Sequence, residues 1–260
     1  MTELLFLGTG PAEAIPRNGH DDSLCRAAQK PHSKSRRLRS SALIGRGETR
    51  ILIDAGPDLM YQLASHRIDR IDAVFLTHAH LDAAGGLNEL DEWAARKGEK
   101  LTVYTEPATE RRYGAHRNLR YRFVRPGEAV KIGSVFARFF RVSHSVKPGF
   151  PTLGIRVGHI AYASDTFSVP KSALDLMKGV QTLILDSAFW FGKRYRGHMT
   201  PDKAVSVGRK LGVRSLILTQ TGHTFPPHEE AENEIRRFAR LRASGTDVRI
   251  AFDGMKLMLK

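Results

Sequence analysis

Residues 72–86 read DAVFLTHAHLDAAGG, and the fold is decided there. An apolar, β-branched run of the kind buried in a sheet leads to Thr77, and polar groups follow at once in alternation: His78, His80, Asp82. In extended chain, alternate side chains point to one side, and a loop at a strand end is free to aim them inward. Two imidazoles one residue apart, with a carboxylate next, suit a borderline divalent cation such as zinc or manganese. One loop cannot close a coordination sphere, so further ligands are expected at other strand ends.

Working outward, short apolar runs closed by Gly, Asp, Asn or His predict strands over 4–7, 41–44, 50–53, 73–77, 101–104, 129–132 and 135–142. The same pattern recurs over 152–157, 159–163, 182–186, 215–219, 249–252 and 256–259. Helices are expected over 58–65, 87–96, 107–113, 171–178, 201–211 and 229–243. Thr200 is placed to cap the fifth of these, with Pro201 in the favoured first position. Residues 17–40 are polar and basic and read as a long loop. With strands and helices interleaved and no Pro/Gly/Ser linker, residues 1–260 are expected to form one α/β domain. Asp54 (IDAG), His144 (VSHS), Asp165 (YASDT) and His223 (LTQTGH) each follow a predicted strand. Singly, such residues are turn formers or caps; as a series at strand ends they point to a metal site.

The composition fits a globular chain: 41% hydrophobic and 26% charged residues leave enough for both a core and a solvated surface. The one cysteine, Cys25, excludes an internal disulfide and fits a reducing compartment. With no targeting segment and no run near the roughly 18 apolar residues of a membrane span, a cytoplasmic protein without membrane contact is expected. The net charge of +14 gathers in residues 30–39, 111–125 and 193–196. Such a field draws phosphate-bearing partners, either nucleic acid or small phosphorylated metabolites. A homodimer is compatible with the sequence, which does not fix the oligomeric state.

The series Asp54, His78-x-His80-x-Asp82, His144, Asp165 resembles the metal-binding signature of the metallo-β-lactamase superfamily. The opening LLFLGTGPAEAIP, the GHMTPDKA segment holding His198, LTQTGH and the closing AFDGMKL resemble its phosphoribosyl 1,2-cyclic phosphate phosphodiesterase branch. The resemblance implies a four-layer αββα sandwich, two β-sheets flanked by helices, with the metal site along one edge. It also exposes two departures: Ala83 and Gln220 stand where the family pattern has histidines. Both fall in the same half of a two-metal site. The first position would keep His78, His80, His144 and Asp165, while the second would retain only Asp82 and the shared Asp165. One firmly held cation follows, with the second position empty or weakly filled by an oxygen-loving ion.

The branch further implies a structural zinc, whose ligand positions fall on His20, Asp22, Cys25 and His223. It implies a general acid at His198, a water-orienting or proton-accepting Asp82, and supporting roles for Asp54 and Gln220 behind the metal ligands. The leading substrate is a cyclic or small phosphodiester, hydrolysed by water made acidic on a cation. Two alternatives stay open: a nuclease of the tRNA 3′-processing type, and a non-enzymatic binding protein for which Ala83 and Gln220 are the evidence.

Overall fold

The computed structural model describes residues 1–144, 150–193, 197–243 and 245–259, which leaves most of the basic run 193–196 outside the described part. In chain order the first half runs β1 (Thr2–Gly8), α1 (Ser23–Gln29), β2 (Ser41–Arg46), β3 (Thr49–Ile53), α2 (Leu59–Ser65) and β4 (Ala73–Phe75). It continues with α3 (Leu81–Ala84), α4 (Leu87–Lys97), β5 (Leu101–Thr105), α5 (Pro107–Tyr113) and β6 (Leu119–Phe123). The second half follows with β7 (Ala129–Ile132), β8 (Val135–Val142), β9 (Thr152–Val157), β10 (Ile160–Ala163), α6 (Lys171–Leu176) and β11 (Thr182–Asp186). It closes with α7 (Pro201–Leu211), β12 (Ser215–Thr219), α8 (His228–Arg242), β13 (Asp247–Ile250) and β14 (Lys256–Leu259).

These strands make two seven-stranded sheets, ordered β14-β1-β2-β3-β4-β5-β6 and β13-β12-β11-β10-β9-β8-β7. The sheets stack because their strands are apolar on both faces, with period two. Leu4, Phe6, Ile51, Ile53 and Phe75 turn inward and meet Phe139, Ile155, Tyr162, Ile184 and Ile217 of the other sheet. Their sequence neighbours turn outward. Leu5, Leu7, Leu52 and Val74 pack under α2 and α4 through Leu59, Leu63, Leu87 and Leu90. Leu183, Leu185, Leu216 and Leu218 pack under the helices of the second half through Met177, Val205 and Ile235. The order helix, sheet, sheet, helix is the expected four-layer sandwich. In each sheet four strands run parallel, β3 to β6 and β10 to β13, so their carboxyl ends share one edge, where the polar loops gather.

The structure corrects the sequence reading in several places. The loop expected over 17–40 contains a helix, α1, started by Asp22, whose side chain accepts from Cys25 N at 2.7 Å. Strand β6 was not expected, because its sequence LRYRF carries two arginines; it is an edge strand, where charged residues keep other chains from adding on. Thr200 occupies the cap position of α7 but its side chain makes no capping hydrogen bond. The basic run 30–39 is only in part a solvated face. Arg37 is 3% exposed and donates to Thr9 Oγ1, Ala251 O and His228, and Arg39 pairs with Asp58 at 2.9 Å. Among the described residues no helix is long and apolar enough to cross a membrane.

Candidate metal centre

Strand β4 stops at Phe75, two residues earlier than expected, and the chain from Leu76 onward is loop. Thr77 is tied down by Asp54, which follows β3 in the left-handed conformation (φ 62°). Asp54 accepts from Thr77 N at 2.8 Å and from Thr77 Oγ1 at 2.9 and 3.0 Å. The same hydroxyl lies 2.8 Å from His78 Nδ1. Because Thr77 donates to the carboxylate, it is left to accept from His78 Nδ1–H, and the lone pair of His78 Nε2 then faces the opposite way. That nitrogen is buried and meets no hydrogen-bond partner among the described residues. Gly56 lets the next loop close down: a Cβ there would stand 2.0 Å from Asp82 O.

From the second sheet, β8 delivers His144, whose Nδ1 lies 2.8 Å from Gly197 O, so this nitrogen donates and Nε2 turns inward. His144 Nε2 sits 3.0 Å from His80 Nδ1. Strand β10 delivers Asp165, whose Oδ1 is 3.8 Å from His144 Nε2 and 3.9 Å from His78 Nε2. The ligand atoms of His78, His80 and His144 all lie within 4.8 Å of one another, as do those of His144, Asp165 and His198. Phe150 stacks on the His80 ring at 4.2 Å.

Charge follows from this burial. Desolvation, with the neighbouring imidazoles, pushes His78 down to about 3 and His80 down to about 4, against an ordinary 6.5. Both are therefore neutral near pH 7, with a lone pair to offer. Burial alone would raise Asp165, yet His78, His144 and His198 outweigh it and hold this carboxylate down at about 2. Asp82, in the first turn of α3, is pushed up to about 6 by burial and then by the charge of Asp165. Its carboxylate belongs to neither of the two tight groups. Three imidazoles, one carboxylate and an orphaned inward nitrogen fit a divalent cation of the zinc or manganese type.

His198 is brought to the same place, its ring 4.8 Å from that of His144. Its Nδ1 bonds Asp186 Oδ2 at 2.6 Å. Burial opposes the imidazolium, but Asp186 together with Asp165 and Asp82 raises His198 to about 9. Asp186 is fully buried and also accepts from the backbone of Thr166, Ala188 and Met199. Sequence reasoning left Asp186 as a strand-end residue. The available signal was its place at the end of β11, matching Asp54 and Asp165 at the ends of β3 and β10. Arg112 and Tyr113 at the end of α5 were likewise passed over. Tyr113 Oη donates to Ala79 O at 3.4 Å, and the Arg112 guanidinium lies 5.7 Å from the Tyr113 ring. Gln220 presents its amide nitrogen to Asp165 Oδ1 at 2.9 Å.

A second cluster forms apart from these strand-end ligands. The ligand atoms of His20, Asp22, Cys25 and His223 lie within 4.8 Å of one another. Cys25 Sγ is 3.6 Å from His223 Nδ1, while His223 Nε2 lies 3.0 Å from Ala14 O and so donates there. The inward nitrogen is thus free to bind, and a buried thiol, an imidazole pair and a carboxylate fit a tetrahedral cation.

The sequence matches the beta-lactamase superfamily domain over residues 49–219. It is 26% identical over 239 residues to an octanoyltransferase of Porphyromonas gingivalis, covering 87% of this chain and 47% of that protein. It is also 26% identical over 197 residues to ribonuclease J 2 of Staphylococcus aureus, covering 72% of this chain and 30% of that one. The chain therefore spans less than half the length of these relatives. Among solved structures, a diphosphatase of the PhnP family aligns over 100% of this chain and 98% of its own, with TM-score 0.86 and 27% identity. The zinc-bound PqqB of Methylobacterium extorquens shares the fold over 99% of this chain and 100% of its own, with TM-score 0.79 and 18% identity. The motif series, the paired sheets and these matches agree: the chain belongs to the metallo-β-lactamase superfamily, on its PhnP-like branch.

Proposed function

We propose that this chain is a metal-dependent phosphodiesterase acting on a small or cyclic phosphodiester, with one firmly held zinc or manganese ion between His78, His80, His144 and Asp165. The observation that carries the reading is the convergence of these ligand atoms beside a His198–Asp186 pair. When bound, such a cation supplies Lewis acidity to a phosphoryl oxygen and makes water more acidic. The chain supplies the rest. Asp82 takes a proton from the attacking water as its oxygen bonds phosphorus. The ester P–O bond breaks, and His198, fixed through Nδ1 by Asp186, gives its Nε2 proton to the leaving oxygen. Arg112, beside Tyr113 and near enough to His80 to oppose its protonation, neutralises the phosphate's remaining charge. Asp54 acts through Thr77 to hold His78 in the ligating tautomer. His20, Asp22, Cys25 and His223 would hold a separate, structural zinc, and the lone buried thiol accords with a cytoplasmic setting.

Turnover of bis-p-nitrophenyl phosphate with added Mn²⁺ tests this. His78→Ala is expected to remove at least 10³-fold of the rate together with one equivalent of metal. A well-metallated wild type without turnover overturns the reading and leaves a binding protein. A second reading, RNA as substrate, is favoured by the likeness to ribonuclease J 2 and by the exposed Arg111, Arg112, Arg117 and Arg120. Steeply salt-dependent binding of tRNA would select it over a small metabolite.

A further inference from the structure

Ala83 and Gln220 both stand in the half of the site where the resemblance places a second ion. Gln220 follows β12 in the left-handed conformation (φ 62°), and its side chain is drawn into the interior, only 2% exposed. Its Nε2 lies 2.9 Å from Asp165 Oδ1. An ionised carboxylate can only accept, so the amide must offer N–H here and its orientation is fixed. Two results follow. Asp165 Oδ1 is already engaged by an N–H, which leaves it a poorer donor for a second cation. The other end of the amide, Oε1, is buried without a hydrogen-bond partner among the described residues.

A buried amide oxygen left unmatched is unfavourable, so Oε1 is an acceptor open to a water. Asp82 belongs to the same half, in the first turn of α3. A water that gave one proton to Asp82 and the other to Gln220 Oε1 would turn its lone pairs toward an incoming phosphorus.

We propose that Gln220 does the work of the absent second ion, its N–H fixing Asp165 and its Oε1 holding the attacking water. As the new P–O bond forms and the ester P–O bond breaks, one proton passes to Asp82. The second stays on the phosphate product, still hydrogen-bonded to Gln220. This inference rests on the phosphodiesterase reading, and it makes the chain a one-ion variant of the site by construction rather than by decay.

The test compares wild type, Gln220→Met and the pair Ala83→His/Gln220→His. Metal equivalents are counted after dialysis, and kcat and KM are measured with bis-p-nitrophenyl phosphate; thermal unfolding verifies folding. Gln220→Met is expected to keep the wild-type metal count and KM while kcat falls roughly 10²-fold. The histidine pair is expected to gain one equivalent. Should Gln220→Met fail to fold, Gln220→Ala serves, with the same expectations. A metal count one lower in either single variant would make Oε1 a ligand and overturn the proposal, as would an unchanged kcat. A metallated wild type without turnover would instead sink the phosphodiesterase reading, and the water-holding role with it.

Discussion

His228, 3% exposed at the start of α8, accepts at Nδ1 from the buried Arg37 at 3.0 Å and faces Glu232 across 3.8 Å. A nitrogen that accepts from a guanidinium has no room for its own proton. Burial first, then Arg37 and Lys34, push this imidazole down to about 3. Since the folded value lies below the ordinary 6.5, the stabilisation is complete above about pH 6.5 and is lost as pH falls toward 3. At about 1.4 kcal/mol per unit, this one residue should cost roughly 2 kcal/mol at pH 5. Urea unfolding at pH 7 and pH 5 is expected to show a shallower loss in His228→Gln than in wild type. Equal losses would refute the assignment. At this scale the sequence was legible wherever chemistry is local: His78, His80, His144 and Asp165 are metal-binding types at strand ends, and the fold brings them together. It was silent on Arg37 and Asp186, because packing alone brings Ala251 to Arg37 and His198 to Asp186.

Between residue and fold, the elements carry the next lesson. Periodic apolar runs such as 182–186 and 201–211 were placed to the residue, because burial on both faces or along one stripe leaves a repeat in the sequence. Helix α1 leaves almost none, for it has seven residues and buries only Leu24, Cys25 and Ala28. What holds it is its neighbourhood: Asp22 caps it, and Cys25 turns to His223 on the loop after β12. If zinc joins these loops, Cys25→Ala should release one equivalent of zinc while leaving the metal at His78, His80 and His144 in place. Its melting temperature should also fall. A full zinc complement in this variant would leave α1 held by packing alone. Strand β6 shows the reverse case, an element hidden because Arg120 and Arg122 break its apolar pattern at the sheet's edge.

At the scale of the whole molecule, the proposed cation would join two halves. His78 and His80 come from the sheet of β1 to β6, His144 and Asp165 from that of β7 to β13. A ligand that binds only the folded chain stabilises it by about 2.7 kcal/mol at a hundred times its Kd. For a chain of this size that is a rise in Tm of roughly 5–10 °C. Calorimetry of chelated and Mn²⁺-loaded wild type should show a rise of this order. His78→Ala is expected to show little of it. An equal rise in both would place the stabilising ion elsewhere.

The pairing of β1 with β14 has its own consequence for a chain made from one end to the other. Thr2–Gly8 is synthesised before the other strands of these two sheets, yet one of its two flanks is covered only by Lys256–Leu259, the last of them. During translation the first strand would therefore keep a row of backbone donors and acceptors open to any passing extended segment, and a chaperone that shields strand edges would find its natural target there.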